Sequence, residues 1–472
     1  MLGRDHGAAM SRPLALSLAV RSWFDALSLT AIACLVASCV FAAVPAAAQV
    51  KNAPAIGTDA PLRWRVGGGN IVSHLVGRET AQLYAALNGI GAKLGRMDSY
   101  GWRDLSRKPA PRDFDAAMRE AYMHGITPIM LLEYEGSYQT LDPPQPIGSY
   151  ADWYAAGRAM AKRFRPDGDW GRENGIENFG VTVFTAINEP DVQATIPKDA
   201  YHDALAGLAD GVHSIDKTLR VVPGGFATCN SHGDATLRGY GPAIADLLAD
   251  GRLDGIDLHT YYNARWFPLT RGQEFSAQSC FDRVKAAMKI SRDVNFYATE
   301  FNVARDDAWS DETLAAKLFL TAFWDNVGVA GANGRPATVL ASPWNLADTG
   351  RIEGPAYAMA AREAPWAPDA RARVLAMVLK LAGDKRITSL DRVRGLVTLE
   401  DDDGIVIAWQ NLPGWTDRPG KELRIELPAW AQRAEVWGFD GPRETVPVHG
   451  GDNVIELPAN ETIMLRIPRP HP

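Results

Sequence analysis

The chain has 472 residues, more than one typical domain needs, although an α/β barrel can fill well over half of that length. Apolar residues make up 46% and charged residues 22%, an ordinary globular composition with a large core available. The net charge of −7, with no long run of either sign, gives a nucleic-acid surface no support.

The first 49 residues read as an export segment. Arg4, Arg12 and Arg21 supply a basic start, Ala26 to Val44 is apolar, and Ala46-Ala47-Ala48 offers a small-residue cleavage site before Gln49. Two alternatives stay open. Val36-Ala37-Ser38-Cys39 resembles a lipoprotein box, which would lipidate Cys39, and the apolar run is long enough to remain as an anchor. A membrane is a partner only in those two cases, and the expected location is otherwise periplasmic or extracellular. Outside this segment the cysteines are Cys229 and Cys280. They form either one disulfide or two separately buried thiols.

From about residue 62, short apolar runs alternate with amphipathic stretches. Strands are expected at Trp64–Val66 running on toward Ile71, Lys93–Met97, Thr127–Leu132, Val181–Ile187, Val221–Gly224, Gly255–His259, Phe296–Thr299 and Thr338–Ser342. Helical patterns lie between them, at Thr80–Leu87, Asp113–His124, Asp152–Arg163, Asp199–Ile215, a short Ala243–Ala249, Ser276–Ile290 and Glu312–Val327. Asp369–Leu381 completes the eighth unit. Eight alternations predict a (β/α)8 TIM barrel over residues 50–383. The cluster Gly67-Gly68-Gly69 lacks the spacing of a dinucleotide turn and reads as a flexible turn or a close backbone approach.

After Gly383 the runs shorten and often alternate: Leu396–Leu399, Ile405–Trp409, Leu423–Leu427, Ala434–Gly438, Val454–Leu457 and Thr462–Ile467. Asp403-Gly404, Asp417-Arg418-Pro419-Gly420 and Gly450-Gly451-Asp452 mark turns among them. This predicts a small β-sandwich over residues 384–472 that supports the barrel.

Chemistry in such a barrel sits where strands end and βα loops begin. The fourth expected strand leads into Asn188-Glu189-Pro190 and the seventh into Thr299-Glu300-Phe301. Glu189 and Glu300 therefore face one another, three units apart around the ring. Glycosidic cleavage needs such a pair, one carboxylic acid to protonate the leaving oxygen and one carboxylate to capture or stabilise an oxocarbenium-like centre. No H-E-x-x-H or paired C-x-x-C occurs and the histidines are scattered, so neither a metal nor a cofactor is expected.

Asn188-Glu189-Pro190 on the fourth strand with Glu300 on the seventh resembles clan A of the glycoside hydrolases. Arg96 at the second strand end, His259-Thr260-Tyr261 at the sixth and Trp344 at the eighth match the same pattern. The resemblance implies that Glu189 is the acid/base, that Glu300 is the nucleophile, and that anomeric configuration is retained. The Ile-Asn-Glu-Pro-Asp run and the β-rich tail most resemble glycoside hydrolase family 39, with family 5 as the alternative. The implied substrate-binding residues are Arg96, Asn188, His259, Tyr261 and Trp344. Asn188 would hold the sugar 2-hydroxyl, Tyr261 and Arg96 would steady Glu300, His259 would orient the acid/base or a sugar hydroxyl, and Trp344 would floor the cleavage site.

Tyr100, Trp102, Tyr134, Tyr138, Trp170, Tyr262 and Trp266 are candidates for stacking on sugars, and His74, Asp98, Glu133 and Glu135 for hydrogen bonds to them. The expected activity is hydrolysis of a β-linked oligo- or polysaccharide, an exopolysaccharide among the possibilities, by double displacement. A transglycosylase using the same glutamates and a non-catalytic carbohydrate-binding protein are the alternatives.

Overall fold

The computed structural model describes residues 56–470 apart from 73–77, 100–111, 134–146, 194–195, 231–236, 266, 306–308, 347–356, 361–366, 416–419, 421 and 458–459. The described residues all belong to one unit, Ala48–Pro472. The expected export segment, with Cys39, lies outside them.

Nine strands occupy the eight expected positions. They are β1 (Gly67–Val72), β2 (Leu94–Ser99), β3 (Thr127–Leu132), β4 (Val183–Asn188), β5 (Arg220–Gly224), β6 (Gly255–Asp257), β7 (Thr260–Tyr262), β8 (Asn295–Val303) and β9 (Thr338–Pro343). Seven longer helices accompany them: α1 (Arg78–Gly89), α2 (Arg112–Met123), α3 (Tyr150–Phe164), α4 (Lys198–His213), α5 (Ala277–Ala287), α6 (Glu312–Val327) and α7 (Ala370–Ala382). Strands β1 to β5 pair in sequence order in a parallel sheet, while β6, β7 and β9 all pair in parallel with β8. Two parallel bridges, Val66 with Ala341 and Phe226 with Leu258, link the outer strands of one sheet to those of the other.

Burial explains this arrangement. Every residue of β3 and of β4 is buried, which fits strands covered on both faces. One face contributes Leu94, Ile129, Val183, Val222, Tyr297, Val339 and Leu340 to a single cluster drawn from both sheets. The other face packs against the helices. Helix α3 starts at a capping box in which the Ser149 side chain accepts from the Asp152 N–H and the Asp152 carboxylate accepts from the Ser149 N–H. It lies close along α4 because Gly157 and Gly207 carry no side chain. A Cβ on Gly207 would stand 2.3 Å from the Tyr150 carbonyl oxygen.

Two expected strands are corrected. The first begins at Gly67, not Trp64, because Leu62–Trp64 turns as a short 3-10 helix. The glycine cluster sits inside that strand as a close approach, where a Cβ on Gly67 would meet Ser342 Oγ at 2.7 Å. The sixth strand is broken in two, because its register against β8 slips by one residue, from Asp257 opposite Tyr297 to Thr260 opposite Phe301.

The tail contains eight strands: β10 (Arg386–Asp391), β11 (Leu396–Asp401), β12 (Gly404–Asn411), β13 (Glu422–Leu427), β14 (Arg433–Gly438), β15 (Gly441–Pro447), β16 (Gly451–Glu456) and β17 (Glu461–Pro468). Six form an antiparallel sheet in the order β10-β11-β12-β17-β14-β15, and β13 pairs with β16. Strand β12 alternates: Ile405, Ile407 and Trp409 join Leu423, Ile425 and Ile455 in one core, while Val406 and Ala408 join the core shared with the helices. Polar ties reinforce that second contact. Trp415 Nε1–H donates to the Leu269 carbonyl at 3.0 Å, and the hydroxyls of Thr321 and Thr462 lie 2.6 Å apart.

Cys229 and Cys280 form a disulfide, their Cα atoms 6.0 Å apart across 51 positions of sequence. It fastens the segment after β5 to helix α5, and settles the alternatives left open by sequence.

Candidate active site

The end of β4 is irregular and held from both flanking strands' ends. Ile187 and Glu189 both adopt positive φ, 61° and 49°, and the register with β5 shifts between Ala186 and Asn188. Such conformations cost on the order of 1–3 kcal/mol each in non-glycine residues, so neighbouring bonds must fix them. The Asn188 N–H donates to Glu133 Oε1 at 3.0 Å, and the Glu189 N–H donates to the Gly225 carbonyl at 3.1 Å. Two residues further on, fully buried Asp191 accepts from the N–H groups of Ala227 and Thr228 and from the Thr228 hydroxyl, the latter two at 2.7 Å. The segment after β5 therefore clamps the chain around Glu189.

Gly225 has a second task in that segment. Its φ is +85°, and a Cβ there would stand 1.9 Å from His259 Nε2. The missing side chain leaves the space that the imidazole fills.

Glu300 lies within β8, not at its end, because that strand continues to Val303. One of its oxygens accepts from Arg96 and the other from the Tyr261 hydroxyl. His259 Nδ1 lies 2.7 Å from Glu189 Oε1 and 3.6 Å from Glu300 Oε2. On its other side, His259 Nε2 is 3.0 Å from Thr299 Oγ1, which donates to Asp257 Oδ2 at 2.7 Å. Arg96 Nη1 reaches the same hydroxyl at 3.3 Å. Oxygens of Glu189 and Glu300 lie within 4.8 Å of each other. Their side chains keep 16% and 6% of their exposure, so Glu189 is the more open to a substrate.

These surroundings move the two carboxyls in opposite directions. Burial pushes Glu189 up, and the negative Glu300 and Asp191 add to it, outweighing the contact with His259. Burial also pushes Glu300 up, but the positive charges of His259 and Arg96 and the bond from Tyr261 overcome it and leave Glu300 below the ordinary carboxylate range. Burial lowers His259, yet Glu300, Glu189 and Asp257 together bring it to about 9. Burial raises Asp257 to about 6.

Of the residues expected from sequence, Arg96, His259, Tyr261, Glu189 and Glu300 meet in this network, and Asn188 closes β4 beside it. Trp344 follows β9 and packs edge-on against Tyr261, with ring centroids 6.1 Å apart, and only 6% of it is exposed. Tyr357, which sequence did not suggest, stands edge-on to both rings at 4.9 and 5.7 Å.

Two secondary candidates are corrected: Trp170 is buried in a short helix against Phe179, and Tyr262 is buried with its hydroxyl donating to Asp325. Glu133 stands beside the site, where its Oε1 accepts from the Asn188 N–H. Tyr100, Trp102, Tyr134, Tyr138, Trp266, His74 and Glu135 lie outside the described residues, as does the side chain of Asp98. Thr299, Asp257, Asp191 and Gly225 also escaped notice. An acid two positions before His259, within the expected sixth strand, was the available signal for Asp257.

Glu189, His259 and Glu300 form a group of three donors of a kind that can bind a cation. Here both Glu300 oxygens already accept hydrogen bonds, and the Arg96 guanidinium supplies the positive charge beside them.

No protein-family model matches the chain, and no curated protein matches it. Solved structures do. A glucosidase from Croceicoccus marinus aligns with a TM-score of 0.54 at 14% identity, over 88% of this chain and 97% of that one. A glycoside hydrolase family 30 subfamily 8 xylanase from Clostridium acetobutylicum gives 0.52 at 12%, over 88% and 97%. A family 51 α-L-arabinofuranosidase from Bifidobacterium longum gives 0.52 at 13%, again over 88% and 97%. At these identities the likeness is one of fold: the chain is built like these three glycoside hydrolases, while their activities are their own.

Proposed function

We propose that this chain is a retaining clan A glycoside hydrolase that cleaves β-linked oligo- or polysaccharide. In this reading the two parallel sheets close into a (β/α)8 barrel over residues 50–383, and residues 384–472 form the supporting β-sandwich. The observation that carries the proposal is a pair of carboxyls in one buried site, with proton affinities displaced in opposite directions. Such a split separates an acid from a nucleophile. The fold likeness to glycosidases supports it.

Each step has its residue. Glu189, kept protonated by burial, gives its proton to the departing oxygen while ionised Glu300 attacks the anomeric carbon and forms a glycosyl-enzyme. Arg96 and Tyr261 hold both Glu300 oxygens and leave the carboxylate oriented for attack. Glu189 then takes a proton from water as that water displaces Glu300. Direct attack calls for carboxyls about 5–5.5 Å apart, and a water-mediated inversion for roughly 6.5–9.5 Å. Oxygens within 4.8 Å of each other favour direct attack.

The Asn188-Glu189-Pro190-Asp191 run and the eight-stranded tail favour glycoside hydrolase family 39 over family 5 as the finer assignment. Export to the periplasm or beyond is part of the same proposal, since a disulfide between Cys229 and Cys280 suits an oxidising compartment.

The test is hydrolysis of aryl β-glycosides and of β-glucan, xylan, mannan and exopolysaccharide by wild type, Glu189→Ala and Glu300→Ala. Turnover lost in Glu300→Ala, and restored by azide in Glu189→Ala, is the expected result. Equal turnover in all three proteins would place the chemistry elsewhere.

A further inference from the structure

The hydrogen bonds around His259 constrain where its protons lie. Ionised Asp257 accepts twice from Thr299, at Oδ1 from the N–H at 3.0 Å and at Oδ2 from the hydroxyl at 2.7 Å. A threonine hydroxyl has one proton and two lone pairs. With that proton given to Asp257 and one lone pair turned to Arg96 Nη1 at 3.3 Å, the oxygen can meet His259 Nε2, 3.0 Å away, only as an acceptor. Nε2 therefore carries hydrogen in every charge state of the ring. Nδ1, 2.7 Å from Glu189 Oε1, is the ring position left to gain and lose a proton.

We propose that Asp257 and Thr299 are positioning residues that lock His259 in its Nε2–H form, so that Glu189 and His259 Nδ1 share a single exchangeable proton. The proposal rests on the hydrolytic reading of the site. In the resting enzyme the proton lies between Glu189 Oε1 and Nδ1. On glycosidic cleavage it leaves the pair for the departing oxygen, and the water that releases the sugar from Glu300 returns one proton to the pair. The count closes over one turnover, and His259 serves as the store that keeps the acid loaded.

Several other ionisable groups surround the pair. Glu300 and Tyr261 face His259 from β8 and β7, Asp257 from β6, Arg96 from β2, and Asp191 adds its charge to Glu189 from the end of β4. The three carboxylates facing the ring favour its second proton, against burial. Gly225 gives the ring the space it needs at Nε2.

The test is 15N NMR of the full chain with labelled histidine, His259 being assigned by the signals lost in His259→Gln. In wild type, Nε2 should stay protonated across the titration while Nδ1 alone changes. Thr299→Val should release that preference, and Thr299→Ser, which restores the hydroxyl, should recover it. A neutral Nδ1–H form in wild type, or an unchanged ring in a folded Thr299→Val, would overturn the proposal.

Kinetics add a reading that a structural role would not move. On the aryl glycosides that wild type hydrolyses, Thr299→Val and Asp257→Asn should lose kcat/KM for poor leaving groups by about 10²-fold, the smaller end of what a positioned acid supplies. For 2,4-dinitrophenyl leaving groups, which need no acid, the loss should be small. Equal loss for both classes would contradict the shared proton. The two failures differ in appearance: absent turnover with the Nε2–H form intact removes the hydrolase reading, and turnover with the wrong ring form removes this inference.

Discussion

Glu300 and Glu189 should respond differently to removal. Losing a covalent nucleophile costs on the order of 10⁶-fold in other hydrolases, so Glu300→Ala should be inactive on every leaving group. Glu189→Ala should lose about 10²–10⁴-fold on poor leaving groups and little in the first step on activated ones. The pH profile follows from the directions of the two shifts. In the proposed mechanism activity needs protonated Glu189 and ionised Glu300, so it should fall as pH rises through the raised value of Glu189. It should fall again as pH drops through the lowered value of Glu300. Measuring kcat/KM against pH for both leaving-group classes checks this, and the alkaline limb should be absent for Glu189→Ala on activated substrates.

Glu189 was legible in sequence because Pro190 marks a strand end, and Glu300 from the resemblance of the Thr299-Glu300 run, although β8 continues past it to Val303. Thr299 and Asp257 were not, since their meaning lies in contacts across strands. Thr299 reads as an ordinary buried β-branched residue until His259, Arg96 and Asp257 converge on its hydroxyl.

At the scale of elements, the segment after β5 carries more than its composition suggests. Gly225 accepts from Glu189 and makes room for His259, Phe226 bridges to Leu258, and Ala227 and Thr228 anchor Asp191. Gly225→Ala would need a positive φ and a Cβ inside the imidazole. It should cost about 1–3 kcal/mol in chemical denaturation and lower kcat more than it raises KM. Loss of stability with full activity would show that His259 has another place to go.

Fully buried strands such as β3 and β4 stood out in sequence as continuous apolar runs. The tail strands β10 and β15 did not, because Ile387 alone among their residues is buried, so neither an apolar run nor a clean alternation marks them. The break between β6 and β7 was equally hidden. Nothing in Asp257-Leu258-His259 marks the one-residue slip in register, which depends on the longer course of β8 between Tyr297 and Phe301.

For the molecule as a whole, the disulfide and the buried acids set the terms of stability. Cys229 and Cys280 close a loop of 51 residues, for which chain entropy assigns about 4 kcal/mol. Cys229→Ser/Cys280→Ser should lower the denaturation midpoint accordingly, and unchanged stability would mean that strain or residual unfolded structure offsets the link.

Burial raises Asp325 from 3.8 to about 7, where it accepts from Tyr262 and the Ala277 N–H. A raised carboxyl stabilises the fold fully below its unfolded value and loses that contribution as pH rises through its folded value. Stability should therefore decline between pH 3.8 and about 7 on this account, and Asp325→Asn should flatten that part of the curve. The raised His259 adds a loss between 6.5 and about 9.

Double displacement requires Glu300 to become covalently bonded to the sugar. Incubation with 2-deoxy-2-fluoro glycosides of the sugar found in the hydrolysis panel, followed by peptide mass spectrometry, tests it most directly. One label per chain is expected on the peptide containing Glu300, and none in Glu300→Ala. A label on another carboxylate, or turnover whose first product has inverted configuration, would contradict it.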